Sequence, residues 1–295
     1  MAGKHFGKRT VILLAFILPA LLFYTVFVLV PAFGGVWYSL TDWNGVNPAY
    51  HLVGFANYRE ALTNDDYFLD SIGFTLKYVV CMVVLQNALA ILLAVFIESR
   101  RRTKSVFRTV FFMPNMISLI IGGIMWLFIF TKVLPYLAVH TGMSFLDQSW
   151  IGDPKLSFIA ILILSLWAGV GYLMVIYIAA LQNVPDHLNE AAAIDGANAW
   201  QNFRYITMPM IMPAVTIGIF LTLNGSFKVF EAVFALTNGG PGRATQVIAL
   251  NIFDEAFHNS FRYGYASAKA MILFLIVMLL TFVQLAVMKR REVEA

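Results

Sequence analysis

Long apolar runs separated by short polar segments dominate the hydrophobic pattern along the chain. A helix that crosses a bilayer needs about 20 mostly apolar residues, and six stretches qualify. The pattern therefore predicts an all-α integral membrane protein with six transmembrane helices. The predicted spans cover residues 10–32, 72–97, 106–130, 156–181, 206–230 and 266–288.

The first run follows Lys4, Lys8 and Arg9, as the apolar part of a signal peptide would. It is longer than the 7–15 residues typical of that segment, and no convincing small-residue cleavage site follows it. We expect a retained first span.

Composition agrees with a membrane protein. Of the 295 residues, 60% are hydrophobic and 12% are charged, and mean hydropathy is +0.77. Soluble domains carry about 25% charged residues. The net charge of +4 lies in clusters beside the apolar runs, which favours membrane orientation over nucleic-acid binding. The single cysteine, Cys81, excludes an intrachain disulfide, and no metal-type Cys/His spacing occurs.

Lysine and arginine predict the orientation. Six spans place both termini on one side. That side would carry Lys4, Lys8, Arg9, Arg100, Arg101, Arg102, Lys104, Arg108, Arg204, Lys289, Arg290 and Arg291. The opposite side would carry Arg59, Lys132, Lys155, Arg243 and Arg262, while Lys77, Lys228 and Lys269 lie near span ends. The positive-inside rule therefore predicts that both termini are cytoplasmic.

The loop at 182–205 is rich in helix-forming residues. Pro185 suits a first helical turn, and Asp186 complements its positive end. The run 188–194 has strong helix propensity, and Gly196 allows the helix to end before a second short helix starts near Trp200. The pattern predicts two short helices joined by a glycine corner on the cytoplasmic face.

The small-residue surface of this loop, beside Glu190 and Asp195, would fit a groove on another protein. The alternative is a helical hairpin lying on lipid headgroups. Two acids next to an anionic leaflet weigh against that alternative.

The loop carries a family resemblance. Glu190-Ala191-Ala192, Asp195-Gly196-Ala197, Ile206 and Pro209 stand at the spacing of the EAA motif. They resemble that motif of the permeases of binding-protein-dependent ABC importers.

Three later stretches narrow the resemblance. Residues 224–231 (NGSFKVFE), 236–241 (LTNGGP) and 263–268 (YGYASA) are similar to carbohydrate importers of the maltose and glycerol-phosphate type. The resemblance covers roughly residues 70–290. It implies a first helix and outer loop at 1–70, the importer transmembrane core at 71–290 and a cytoplasmic tail at 291–295.

The resemblance implies a type I ABC importer permease fold in which the loop is a coupling helix that docks on a cytoplasmic ATPase. The docking residues would be Glu190, Ala191, Ala192, Asp195 and Gly196, and Pro209 at the end of the motif would belong to the same ATPase-coupling segment. Pro209 and Pro213 would stand at the start of the fifth span, as a hinge or as an ordinary kink.

The implied partners are a second permease subunit in a heterodimer, two ATPase subunits and an extracytoplasmic solute-binding protein, all at a bacterial cytoplasmic membrane. The sequence has no GxxxxGK[ST] motif. We therefore expect a transport subunit rather than an enzyme, with no cofactor of its own, driven by ATP and magnesium that the partner ATPase uses.

Polar residues in the fourth and fifth spans are candidates for the substrate path, because such groups face partners or cavities. They are Ser165, Trp167, Gly169, Tyr172, Thr222, Asn224, Ser226, Lys228 and Glu231. Hydroxyl, amide and aromatic groups suit a sugar, and the resemblance gives the matching stretches this role. The alternative is hydrogen bonding between helices, and Lys228 and Glu231, three residues apart, are expected to pair with each other.

Three other functions compete with a sugar permease. One is a permease of the same superfamily for a non-sugar solute. A second is a membrane enzyme, which would need His pairs, HExxH or GxSxG, and the sequence contains none. A third is half of a secondary transporter, which would work without an ATPase.

Overall fold

The computed structural model describes residues 3–100, 102–258 and 261–289, without the side chains of residues 3–9 and 11. The predicted tail 291–295 and the predicted basic residues Arg101, Arg290 and Arg291 lie outside the described residues. So do the side chains of Lys4, Lys8 and Arg9.

Helices are the regular secondary structure of the described residues, beside an isolated antiparallel bridge between Thr41 and Leu52. In chain order they are α1 (Gly3–Tyr24), α2 (Val30–Tyr38), α3 (Ala56–Thr63), α4 (Asp66–Glu98), α5 (Lys104–Phe112), α6 (Leu119–Phe128), α7 (Leu134–Thr141), α8 (Pro154–Gln182), α9 (Asp186–Ile194), α10 (Ala199–Asn202), α11 (Met208–Met210), α12 (Met212–Phe227), α13 (Glu231–Leu236), α14 (Ile248–Phe253) and α15 (Tyr263–Lys289). Single π-helical turns lie at Thr25–Leu29, Ile129–Val133, Phe203–Thr207 and Asp254–His258, and 3₁₀ turns at Met113–Met116 and Ser144–Leu146.

Helices of the length and hydropathy of membrane spans confirm the predicted fold class. Five qualify alone: Ile12–Tyr38, Asp66–Glu98, Leu119–Thr141, Pro154–Gln182 and Tyr263–Lys289. A sixth qualifies when the bent pair Ala199–Met210 and Met212–Phe227 counts as one span. The result is an all-α membrane protein with up to six crossings.

The third predicted span, 106–130, is wrong as one continuous helix. Pro114 lies in a 3₁₀ turn, and Ile117 and Ser118 are extended, each with ψ of 134°. The single helix that meets the length of a span starts only at Leu119 and continues to Thr141. The break escaped the sequence pattern because the residues around it stay apolar.

Both pieces around this break nevertheless lie along α8. The backbone of Phe111 packs directly on Gly171, and Asn115 Nδ2 donates to the carbonyl oxygen of Ala168 at 3.3 Å. Gly122 faces the side chains of Leu164 and Trp167, which would lie 3.5 Å from a Cβ at this position. At the break itself, the N–H of Ile117 donates to Pro114 O at 3.1 Å and the N–H of Gly122 donates to Ser118 O at 2.9 Å. Local bonds therefore pair some of the backbone groups that an irregular segment within a membrane must satisfy.

The fifth predicted span, 206–230, is also not one straight helix. Its two parts meet at Ile211 with a bend of 71°. Pro209 and Pro213 stand in the first turns of α11 and α12, where a missing N–H costs least. The span ends at Phe227, three residues before the predicted end.

Two compact units divide the chain. The first contains residues 1–65 and 252–274. Its aromatic cluster stacks Trp43 on Tyr38, with ring centroids 4.2 Å apart, and brings Tyr263 to 5.5 Å from Trp43. Asn57 Nδ2 donates to the carbonyl oxygens of Ser39 and Thr41 at 2.9 and 2.8 Å, which fixes the segment after α2.

The second unit contains residues 66–251 and 275–295. Its core forms where α4, α8 and α12 meet, and Ala90, Met174, Tyr177 and Val215 are buried there. The loop at 182–205 and all the candidate substrate-path residues belong to this unit.

Candidate functional site

The predicted loop helix with its glycine corner is confirmed. Pro185 caps α9 in extended conformation, and Asp186 stands in the first turn, where a carboxylate stabilises the helix dipole. At the other end Gly196 is left-handed, with φ of 80°. Its N–H donates to Ala193 O at 3.2 Å, and the N–H of Ala197 donates to Ala192 O at 2.9 Å. This pair of bonds is a Schellman motif, which favours glycine at the left-handed position.

A capping box starts the second short helix. The N–H of Gln201 donates to Asn198 Oδ1 at 2.9 Å, and the N–H of Asn198 donates to Gln201 Oε1 at 2.8 Å. Local hydrogen bonds thus end α9 and start α10, which stabilises the shape of the loop.

The outward surface of α9 is exposed. Among the residues proposed to dock, Glu190, Ala191, Asp195 and Gly196 are exposed, whereas Ala192 is buried and Pro209 is half-buried. Behind α9, a cavity of about 600 Å³ separates the loop from the ends of α4 and α8.

Ile194 is the residue of this surface that the sequence prediction missed. It is 87% exposed and lies one turn after Glu190 on α9. Trp200 and Tyr205 are also largely exposed. Exposed large apolar groups beside acids are typical of a protein-binding surface, and the i, i+4 spacing from Glu190 would have identified Ile194.

A cavity of about 540 Å³ lies in the second unit, between α4, α8 and α12. It is lined by every predicted substrate-path residue except Trp167 and Asn224. Trp167 contacts the ring of Trp126 edge-on, and Asn224 Nδ2 donates to Phe220 O at 2.9 Å. The volume is in the range of small-ligand sites.

Polar side chains from two other segments also line this cavity. Tyr78 and Gln86 come from α4, and Asn115 comes from the break before α6. Tyr78, Met82 and Gln86 follow one helix face at intervals of four, so helical periodicity could have found them. Asn115 had no such signal, because the sequence pattern did not reveal the break.

Lys228 and Glu231 line the cavity but do not form the ion pair that their spacing predicted. No ion pair joins them among the described residues. Lys228 caps the end of α12, and Glu231 starts α13. The i, i+3 geometry of one helix is therefore absent, and both charged groups remain exposed.

A buried polar junction ties α4, α8 and α12 together at the edge of the cavity. Asn87 Oδ1 accepts a hydrogen bond from the Tyr177 hydroxyl, and Asn87 Nδ2 donates to Thr222 Oγ1 at 3.1 Å. Thr222 also lines the cavity. Gly218 faces this junction closely, and a Cβ there would overlap the Tyr177 hydroxyl and approach Asn87 Oδ1 to 2.9 Å.

Gly218→Ala is therefore expected to destabilise the protein by about 1–3 kcal/mol, because an added methyl group in a packed interior forces its neighbours to move. Thermal unfolding in detergent measures the change. Gly225→Ala is the matched control on α12, since nothing lies within 4 Å of its added Cβ. Equal unfolding temperatures for the two variants would show that the junction tolerates the methyl group.

Spanning helices around a polar cavity, with an exposed helical loop before the bent span, define a membrane permease. A family model described as binding-protein-dependent transport system inner membrane component matches residues 86–293. The chain belongs to this family, and the predicted membership is confirmed.

Individual relatives match over nearly the whole chain. The probable starch degradation products transport system permease protein AmyD of Thermoanaerobacterium thermosulfurigenes is 39% identical over 296 residues, covering 100% of both chains. The trehalose/maltose transport system permease protein MalF of Thermococcus litoralis is 30% identical and covers 94% of this chain and 93% of its own length.

A solved structure supports the fold. The crystal structure of a bacterial ABC transporter involved in the import of the acidic polysaccharide alginate matches 96% of each chain with a TM-score of 0.82 and 22% identity. At this identity the match establishes the fold alone.

Proposed function

We propose that the protein is the permease subunit of an ATP-driven importer of oligosaccharides or related polyols, and that it forms half of the translocation path. The observation that carries the proposal is the cavity of about 540 Å³ in a permease of this family. Hydroxyl and amide groups at Ser165, Thr222 and Gln86 would bond to sugar hydroxyls, and the Tyr172 ring would contact a sugar face. The names of the full-length relatives support a carbohydrate.

The loop of α9 and α10 is, in this proposal, the coupling helix. Glu190, Asp195 and Ile194 would contact a separate ATPase subunit, which uses ATP and magnesium. Two observations support the role: the surface is exposed, and its shape is fixed by its own caps.

The proposed orientation places both termini and this loop in the cytoplasm of a bacterium. The end of α4 lies beside the start of the loop, because Gln182 Nε2 donates to Glu98 at 3.4–3.5 Å, and Glu98 forms an ion pair with Lys104. The same side of the protein therefore carries, among the described residues, Arg100, Arg102, Lys104 and Arg108. A second permease in a heterodimer, two ATPase subunits and an extracytoplasmic binding protein complete the proposed assembly. The related alginate transporter was solved with a pentasaccharide-bound periplasmic protein.

Tyr172→Ala tests the cavity. Tyr172 is 43% exposed at the cavity wall, so the variant should insert and assemble normally. We expect the concentration of sugar at half-maximal uptake to rise roughly tenfold, the equivalent of about 1.4 kcal/mol of binding. Uptake of labelled maltodextrin by cells or proteoliposomes measures it.

Tyr136→Ala is the matched control, since Tyr136 is 61% exposed on α7 and does not line the cavity. Trp167→Ala and Asn224→Ala should have smaller effects than Tyr172→Ala, because neither residue lines the cavity. Identical uptake curves for the Tyr172 and Tyr136 variants would contradict a sugar site at this place.

A further inference from the structure

A basic corner connects α4 to α5. We define the basic corner as Arg100, Arg102 and Arg108. The neighbouring Lys104 is already neutralised, because its ammonium forms an ion pair with Glu98. Glu98 also accepts hydrogen bonds from Gln182 Nε2 at 3.4 and 3.5 Å. Among the described residues, Glu98 is therefore engaged by Lys104 and Gln182 and forms no ion pair with the three arginines.

The guanidinium groups of the basic corner have no acidic partner in the described part of the chain. Arg100 and Arg102 are exposed, and the Arg100 guanidinium lies over the ring of Phe96 at 4.6 Å. Arg108 is half-buried, and its Nε is shielded from solvent without a hydrogen-bond partner. Three positive charges are therefore concentrated here without compensation.

Apolar side chains next to the basic corner are exposed. Phe96 is 40% exposed, Val106 62% and Val110 53%. On the other side of α5, Phe107 and Phe111 pack against the core of the second unit. Exposed valines thus follow one another at i and i+4 on α5, and the exposed Phe96 ring lies directly under the Arg100 guanidinium. That composition is typical of a helix at the boundary between acyl chains and headgroups.

We propose that the basic corner binds the phosphate of an anionic phospholipid in the leaflet on the side of the α9 loop. Guanidinium groups bind phosphate through two parallel hydrogen bonds, and clusters of basic residues next to a span recognise anionic lipids. A carboxylate on a partner protein would supply the same charge. The exposed Phe96 ring favours a lipid, since acyl chains would cover this ring while the phosphate meets the Arg100 guanidinium above it. The choice of the cytoplasmic leaflet rests on the proposed orientation.

Native mass spectrometry of the assembled importer tests the proposal. The complex is purified from nanodiscs of phosphatidylcholine with added phosphatidylglycerol. The test variant is Arg102→Gln with Arg108→Gln. The control is Arg59→Gln with Lys155→Gln, which removes two exposed positive charges at positions far from the basic corner in the sequence. We expect the test variant to retain roughly tenfold less phosphatidylglycerol than wild type. The control variant should retain as much phosphatidylglycerol as wild type. Excess inorganic phosphate should not displace the lipid from the wild-type complex.

Three results would overturn the proposal: equal lipid retention in the test variant and wild type, equal loss in test and control variants, or loss of the ATPase or second permease from the test variant while its lipid stays. Arg102→Gln alone serves if the double variant does not assemble, because Arg102 is exposed and precedes α5. Sugar uptake is measured separately on the same samples. Failure of wild-type uptake with normal lipid retention would contradict the proposed function and leave the lipid site standing.

Discussion

Replacing Lys269 by methionine is expected to destabilise the protein by about 3–5 kcal/mol, the cost of leaving buried carboxylates without their partner. The Lys269 side chain is 1% exposed, and its Nζ lies 2.7 Å from Asp65 Oδ2 and 2.9 Å from Glu255 Oε2. Both acids are 16% exposed. Little solvent therefore reaches the carboxylates to replace the ammonium, and thermal unfolding in detergent should show the loss.

The network around Lys269 makes the prediction specific. The Tyr265 hydroxyl donates to Asp65 Oδ2 at 2.8 Å, and Arg262 lies 3.8 Å from Glu255 Oε1. Arg262 also bonds to Glu60 at 2.7 Å, and this hydrogen bond raises the pKa of its guanidinium, so that it stays charged. Glu255 thus keeps a nearby cation after Lys269 is removed, whereas Asp65 loses its ion pair with Lys269 and keeps the hydrogen bond from Tyr265.

Two further variants separate the buried network from the loss of a lysine as such. Asp65→Asn combined with Lys269→Met should recover part of the stability, since the double variant removes the uncompensated charge. Lys77→Met is the control, because Lys77 is exposed and lies over the Phe158 ring at 4.3 Å without an acidic partner among the described residues. Equal destabilisation by Lys77→Met and Lys269→Met would contradict the role of the network.

Lys269 also shows which features the sequence could not predict. From the sequence it is a lysine near a span end, because its partner Asp65 lies about 200 residues away. Local patterns, by contrast, were enough for the loop helix, since Asp186, Gly196 and the Asn198–Gln201 box act on their nearest backbone. The position of spans follows from apolar length, which is also local.

The breaks inside the spans were only partly predictable from the sequence, because they depend on both local residues and distant contacts. Pro114 and Pro209 were visible in the sequence, but a proline in a membrane helix ends it, kinks it or stands in its first turn, depending on neighbouring helices. Here Asn115 bonds to Ala168, and the 3₁₀ turn becomes a true break. The same break brings Asn115 to the cavity, so the missed cavity residue and the wrong third span have one cause.

Gly196→Leu is expected to reduce ATP-dependent uptake about 5–30-fold, while insertion in the membrane stays normal. A left-handed conformation costs a residue with a Cβ about 1–2 kcal/mol, which is a factor of 5–30 in population. Gly196 has a φ of 80°. A population shift of this size would leave most molecules without the Schellman hydrogen bonds that the N–H groups of Gly196 and Ala197 donate. The surface of Glu190 and Asp195 would then no longer have the shape proposed to fit the ATPase. Co-purification of the ATPase and uptake in proteoliposomes measure the effect.

Three comparisons decide whether loop shape is the cause. Gly196→Asn should keep most uptake, because asparagine tolerates the left-handed conformation. Gly54→Leu introduces the same strain at φ of 61° in the first unit, where nothing lies within 4 Å, and should keep the ATPase bound. Glu190→Lys reverses an exposed charge without touching the helix caps, and its loss of ATPase would assign recognition to charge as well as shape. Full uptake with both Gly196→Leu and Glu190→Lys would contradict the proposal that this loop is the coupling element.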